Sequence, residues 1–546
     1  MIKKFLFLTL FVSGSLYGFK APKMTVVLVI DQFSQHYIPK LKPYLTGGLK
    51  LLVSEGINYT NAFYPHSMPS TAGGHTLLST GTFGYYHGIV NNKWFDAAGK
   101  SVECDDDTPE RAAVFAPNGG LYNYGKSAHN IMVDTLSDQL KLYSVPHARN
   151  IVWSLSIKSR AAISMAGRLG KAIWLDDTTG NFTSSIAYFK ELPVWIKRFN
   201  EETPINKLTQ FVWQPFYPST SPAYAFADSN NYKYASMPQS MLGRILSINH
   251  QTKEGYDDLY NKSPLANEHL VNFAKACIEK NYTGHESERF ILWLSLSSLD
   301  KVGHTYGPFS KEALDMIYHM DAHINELIKY IYSKVAPEDV LFVLTADHGV
   351  QPIPEVVRDR GLNIAQRHLY PDLMKGLNTF IMNKYGVESL VTNFKEPQFY
   401  LDQAKLAHMP KQQRHLIYRD IKRFLKRIPG IRNVWTFSEL KHAQFDKYDL
   451  DVYLKRQLFR GRSGQIIYSV YPYTTIDTHS KGTSHITTYN YDTQVPFIFY
   501  QPGRFVGKTI TDTVYTAQLA PTLSEIFKVP RPSAAIANIF PGLYKE

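Results

Sequence analysis

The chain has 546 residues, 44% of them hydrophobic and 19% charged, and its 59 Lys and Arg exceed its 47 Asp and Glu by 12. This is the composition of a globular protein long enough to bury a large core, and it excludes a low-complexity or repeat protein. The basic excess is spread along the chain. Its densest stretch, Arg414 to Arg427, has helical spacing and reads as a solvated face, so no nucleic-acid partner is expected, although the general positive field would attract anionic substrates.

In chain order, Met1-Ile-Lys-Lys, the apolar run Phe5 to Val12 and the small residues up to Gly18 read as a secretory signal peptide over 1–18. It is too short to span a bilayer, and nothing later is long and apolar enough to anchor the chain there. Thr25 to Asp31 reads as a buried strand, with a helix around Leu49 to Glu55 behind it. Pro69 and Gly73-Gly74 mark tight turning before an apolar run, which places Thr71 at a loop-to-helix junction. Asn150 to Ile157 is strand-like and leads into Lys158-Ser-Arg160, read as extended so that both cations point to one side. Ile173 to Phe182 reads as a hairpin around Thr179-Gly180. Residues 191–280 are helix-like and aromatic-rich, and read as a cover over the sheet edge.

Phe290 to Asp300, with His304 four residues on, and Val340 to Asp347-His348 read as two more strands, joined by an amphipathic crossover helix from Lys311 to Lys334. Residues 350–476 then mix short strands with a helix around Gln412 to Lys426, the pattern of a small inserted α+β lobe. Val495 to Tyr500 and a closing helix, Leu519 to Phe527, return to the core pattern. Cys104 and Cys277 are the only cysteines. Export would permit a disulfide, and their spacing does not say whether they meet.

Three buried runs therefore end near aspartates, two of them with histidines attached, and an open α/β sheet presents its chemistry beyond such carboxyl ends. A lone aspartate there is usually a turn former or helix cap. Asp31, Asp300, His304, Asp347 and His348 together form a carboxylate and imidazole set of the kind zinc takes when thiolates are absent. The loop Asp477 to His485 carries two further candidates, His479 and His485, and spacing does not choose between them. Two metal ions suit phosphoryl transfer. Thr71 at a helix N-terminus offers a nucleophile, and Lys158 and Arg160 offer charge for phosphate.

These motifs resemble the alkaline phosphatase superfamily, most closely its threonine-nucleophile, phosphate-irrepressible alkaline phosphatases, with the nucleotide pyrophosphatase/phosphodiesterases as cousins. Thr71-Ala-Gly-Gly-His75 is similar to the family's Thr-Ala-Pro-Gly-His, with Gly73 in place of proline. His87-Gly-Ile-Val-Asn91-Asn92, Lys158-Ser-Arg160 and Gly482-Thr-Ser-His485 also match. The resemblance implies a mostly parallel central sheet sandwiched between helices, with residues 19–546 as one catalytic domain. It implies Thr71 as the residue phosphorylated, with Asn92, Lys158 and Arg160 on the phosphoryl oxygens and His75 and His87 structural. It implies two Zn²⁺, one held by Asp300, His304 and His485 and the other by Asp31, Asp347, His348 and Thr71. The expectation is a periplasmic enzyme, secreted across the inner membrane, that hydrolyses small phosphate monoesters. A phosphodiesterase or nucleotide pyrophosphatase on the same site is the first alternative, and a non-catalytic envelope zinc- or phosphate-binding protein is the alternative of another class.

Overall fold

The computed structural model describes residues 21–143, 149–237, 239–248, 259–446 and 449–543, so the expected signal peptide lies outside the described residues. Among these, ten strands form the central sheet. From one edge the order is Phe182–Thr183, Lys171–Leu175, Arg149–Ser156, Glu288–Leu296, Met24–Ile30, Val340–Thr345, Gln494–Tyr500, Ile57–Phe63 and Lys508–Ile510. Val514–Tyr515 also pairs with Ile57–Phe63. The five strands from Lys171–Leu175 to Val340–Thr345 are mutually parallel. Gln494–Tyr500 runs against both of its neighbours, so Ile57–Phe63 points the same way as the parallel group.

Every residue of Met24–Ile30 is buried, because helices cover both faces. Val26, Leu28 and Ile30 pack in one core with Leu49, Leu52, Met316 and Leu327. Val27 and Val29 face the opposite core with Leu140, Leu523 and Phe527. Each such aliphatic side chain contributes roughly 1.5–3 kcal/mol by leaving water, which is why these strands read as continuous apolar runs. The Lys311–Tyr332 helix lies on the first face and also serves as a clamp. Its buried Asp321 accepts the N–H groups of Thr46, Gly47 and Lys50, where the Gly48–Glu55 helix begins.

Two segments stand apart from this sheet. Val391–Lys395, Gln398–Leu401, Ile466–Val470 and Ile431–Thr436 form an antiparallel sheet with its own core, in which Leu377, Ile381, Ile417 and Ile421 of two helices meet Phe399 and Ile466. Between 191 and 280 the Val194–Glu202 and Pro264–Asn281 helices flank an antiparallel pair, Gln210–Val212 with Ile245–Ser247, that the helix-like composition does not foretell. No described helix is long and apolar enough to cross a membrane.

Two local readings change. Residues 290–300 are not strand throughout: the strand stops at Leu296, and Asp300 lies in the first turn of a helix, Ser298–Tyr306. Lys158-Ser-Arg160 is not extended either, since Lys158 caps a helix, Ser159–Ala166, whose first turn carries Arg160. In both places the helix starts within three residues of the strand end, and the sequence shows no change in hydrophobicity that would mark the boundary.

Candidate active site

Asp31, Asp300, Asp347 and Lys158 are buried together where four adjacent parallel strands end. Asp31 directly follows its strand, and Asp347 lies two residues beyond Thr345. The Lys158 ammonium donates to Asp31 Oδ2 and Asp300 Oδ2, both at 2.6 Å, and stands 3.5 Å from Thr71 Oγ1. Burial works against its charge, but Asp300 and Asp31 outweigh that and hold Lys158 above its ordinary value. Burial also pushes Asp300 up, yet Lys158 and His304 reverse it and keep the carboxyl well below the usual range. Asp347 goes the other way. Burial and then the Asp31 charge push it well above an ordinary carboxylic acid, as expected for acids crowded together in low dielectric.

The three histidines share one arrangement. His304 Nδ1 lies 2.7 Å from the Thr483 carbonyl, His348 Nδ1 3.0 Å from that of Gly349, and His485 Nδ1 2.8 Å from that of Pro69. Facing a carbonyl, each Nδ1 carries a proton, which turns each Nε2 toward the carboxylates. His304 Nε2 and His485 Nε2 stand 3.2 Å and 3.5 Å from Asp300 Oδ1. His348 Nε2 is 3.4 Å from both Asp31 Oδ1 and Asp347 Oδ2.

Asp31 Oδ1, Asp347 Oδ2 and His348 Nε2 are buried without a hydrogen-bond partner. Ligand atoms of Asp300, His304 and His485, and again of Asp31, Asp300 and His348, lie within 4.8 Å of one another. Two orphaned carboxylate oxygens facing an orphaned imidazole nitrogen are a donor set that divalent zinc satisfies. The residues present fit that group. The second cluster includes Asp300 where the resemblance implies Asp347, whose Oδ2 nevertheless faces the same His348 nitrogen.

Thr71 opens the helix Thr71–Thr80, and Ser70 caps it by accepting the Gly73 N–H. A proline at 73 would lack that donor. Gly74 is required by contact, since a Cβ there would stand 2.3 Å from the Asp347 carbonyl oxygen. His75 ties the helix down, with Nδ1 on the Thr71 carbonyl at 2.7 Å and Nε2 on Ser295 Oγ at 2.9 Å. Burial depresses it to about 4, so it is a neutral tether. Asn92 Oδ1 accepts the Ala72 N–H at 2.9 Å, which brings its amide beside Thr71.

Arg160 Nε is buried without a partner. A cavity of about 310 Å³ opens beside Arg160 and Lys158, walled by Tyr124, Lys126, Trp174, Asp176 and Lys301 among others. Behind it Asp105 accepts Lys126 at 2.7 Å and Ser159 at 2.6 Å. The fold thus gathers Thr71, Asn92, Lys158 and Arg160 around the carboxylate and imidazole cluster. It leaves His479 outside, with its side chain 74% exposed. Cys104 and Cys277 are separate buried thiols.

Two residues in the site escape a reading of spacing. Ser295 holds His75, and fully buried Gln32 donates through Nε2 to Asp300 Oδ1 at 2.8 Å and through its backbone N–H to Asp347 Oδ1 at 3.1 Å. The one signal for Gln32 is its place next to Asp31.

The model of the type I phosphodiesterase / nucleotide pyrophosphatase family matches residues 25–494. Alkaline phosphatase PhoV of Synechococcus elongatus is 29% identical over 539 residues, covering 96% of this chain and 93% of that protein. Alkaline phosphatase PafA of Elizabethkingia meningoseptica is 28% identical over 561 residues, with 98% of each covered. The crystal structure of wild-type PafA superposes with a TM-score of 0.82 at 25% identity, over 95% of this chain and 98% of that one. It has the same α/β architecture built on a large, mostly parallel sheet.

Proposed function

The chain belongs to the type I phosphodiesterase / nucleotide pyrophosphatase family, within the alkaline phosphatase superfamily, and on that premise we propose that it is an exported two-zinc phosphomonoesterase working through a phosphothreonine. Relatives named alkaline phosphatase align along nearly its whole length, so the chain is a phosphatase of this superfamily. The observation that carries the finer reading is the buried cationic pair beside a helix-terminal hydroxyl: Lys158 Nζ stands 3.5 Å from Thr71 Oγ1, and Arg160 Nε is buried and unpaired.

Asp300, His304 and His485 would hold one zinc, and Asp31, Asp347, His348 and Thr71 the other. When bound, the pair of ions would lower the pKa of the nucleophilic hydroxyl and balance charge on the leaving oxygen. Thr71 Oγ1 loses its proton to solvent and attacks phosphorus in line. The new Oγ–P bond forms as the ester P–O bond breaks, and the departing oxygen takes a proton from solvent. Water then attacks from the vacated side, the Oγ–P bond breaks, phosphate leaves with the water's oxygen, and Thr71 Oγ1 regains a proton. In both steps the positive end of the Thr71–Thr80 helix dipole lies at the anion, while the Asn92 amide, Lys158 and Arg160 hold the non-bridging oxygens. Two fixed cations favour a dianionic monoester over a monoanionic diester.

The test compares kcat/KM for an aryl phosphate monoester and its methyl diester, using zinc-loaded wild type and Lys158→Ala/Arg160→Ala. A monoester preference that collapses in the double variant supports the reading. A diester preference indifferent to both changes replaces it with a phosphodiesterase.

A further inference from the structure

We propose that Gln32 is a positioning residue for the metal site, whose side-chain amide orients the Asp300 carboxylate while its backbone N–H orients that of Asp347. The inference rests on the two-zinc reading and deepens it, because Gln32 contacts one carboxylate from each of the two ligand groups.

Gln32 has φ +69°, in the left-handed region that disfavours any residue with a Cβ and that glycine adopts freely. Local propensity therefore argues against glutamine here. What keeps it is its reach. Nε2 lies 2.8 Å from Asp300 Oδ1, 268 residues away in sequence, and the backbone N–H lies 3.1 Å from Asp347 Oδ1, 315 residues away. An asparagine would tolerate the backbone better but is one methylene shorter.

The packing around the amide is equally specific. Gly303 precedes His304 on the helix that carries Asp300, and a Cβ at 303 would fall 1.6 Å from Gln32 Oε1. A missing Cβ on one element thus makes room for the amide of another, beside two ligands of the same cluster. The bond to Oδ1 sets the rotation of the Asp300 carboxylate, whose Oδ1 also faces His304 and His485. Strained backbone of this kind persists where the surrounding structure over-determines it, commonly at functional sites. Partners that orient metal ligands typically change affinity by about 10–100-fold when removed.

The experiment uses Gln32→Gly in the full chain. Glycine suits the backbone and keeps the N–H to Asp347, so only the amide to Asp300 is lost. Zinc is titrated against a chromophoric chelator, and the two binding steps are assigned with His485→Ala and His348→Ala. The step that His485→Ala removes should weaken by about 10–100-fold. The step that His348→Ala removes should change by less than about twofold, and the melting temperature of chelator-treated protein should not fall. Gly303→Ala, which displaces the same amide from the other side, should weaken the same step. Two unchanged steps in both variants would overturn the proposal, as would equal weakening of both steps. A wild type that takes up no zinc would instead overturn the two-zinc reading beneath it.

Discussion

Thr71, Lys158 and Arg160 act by charge and position, so their removal should be read in different kinetic constants. Thr71→Ala in metal-loaded protein is expected to lower monoester turnover by roughly 10³-fold or more without preventing metal uptake, because it deletes the attacking atom. Rapid-quench trapping of labelled phosphoenzyme checks the same point, and wild-type turnover in this variant would sink the phosphothreonine route. Asp492 offers a separate test of burial. It is fully buried, its Oδ2 accepts the Thr487 N–H and hydroxyl, and burial pushes it up to about 8. The folded state therefore keeps a proton that the unfolded chain has released by about pH 4. Between those limits rising pH favours the unfolded state, and above about 8 the whole penalty applies. Melting curves of Asp492→Asn should gain on wild type from pH 5 to pH 8 and run parallel beyond; a gap that narrows with pH would contradict this.

At the scale of elements, the Thr71–Thr80 helix is aimed by its contacts as much as by its cap. Gly74 lets it approach the Asp347 backbone, and His75 pins it to Ser295 on the Glu288–Leu296 strand. Gly74→Ala should push the helix off that seat. Misplacement of a nucleophile by about 1 Å costs on the order of 10²-fold in rate, so kcat should fall by about that much together with the melting temperature. Ser70→Ala removes only the cap and should cost about 1 kcal/mol with a smaller kinetic effect, measured by urea unfolding and steady-state rates.

Across the whole molecule, the antiparallel lobe is tied to the chain that leads to Asn92. Gln457 Nε2 donates to the Ile89 and Val90 carbonyls, and Arg462 Nη1 donates to Gly88 and Asn130. Gln457→Ala is expected to lower kcat/KM by about tenfold by releasing that loop, and an unchanged rate would mean that the lobe only rests against the core. Chelation reaches further. Without metal ions, Asp31, Asp300 and Asp347 crowd one buried space in which the Lys158 ammonium pairs with Asp31 and Asp300 and leaves Asp347 without a cation in contact. Treatment with a chelator should therefore abolish turnover and lower the melting temperature, with zinc restoring both.

The runs ending at Asp31 and Asp347, the helix start at Thr71 and the carboxylate and imidazole character of the cluster can be read along the chain, because each is written locally in hydrophobic period, capping residues and motif order. Leu519–Phe527 is read to the residue for that reason. Spacing leaves His479 and His485 open and the motif resemblance points to His485, while the fold buries His485 and leaves His479 exposed. Only the tertiary structure decided that Asp300 and Arg160 stand on helices, where an apolar run masks the end of a strand. Gln32 and Gly303 became legible only there. Their meaning is a contact between segments 271 positions apart, and no local pattern encodes a distance across the sheet.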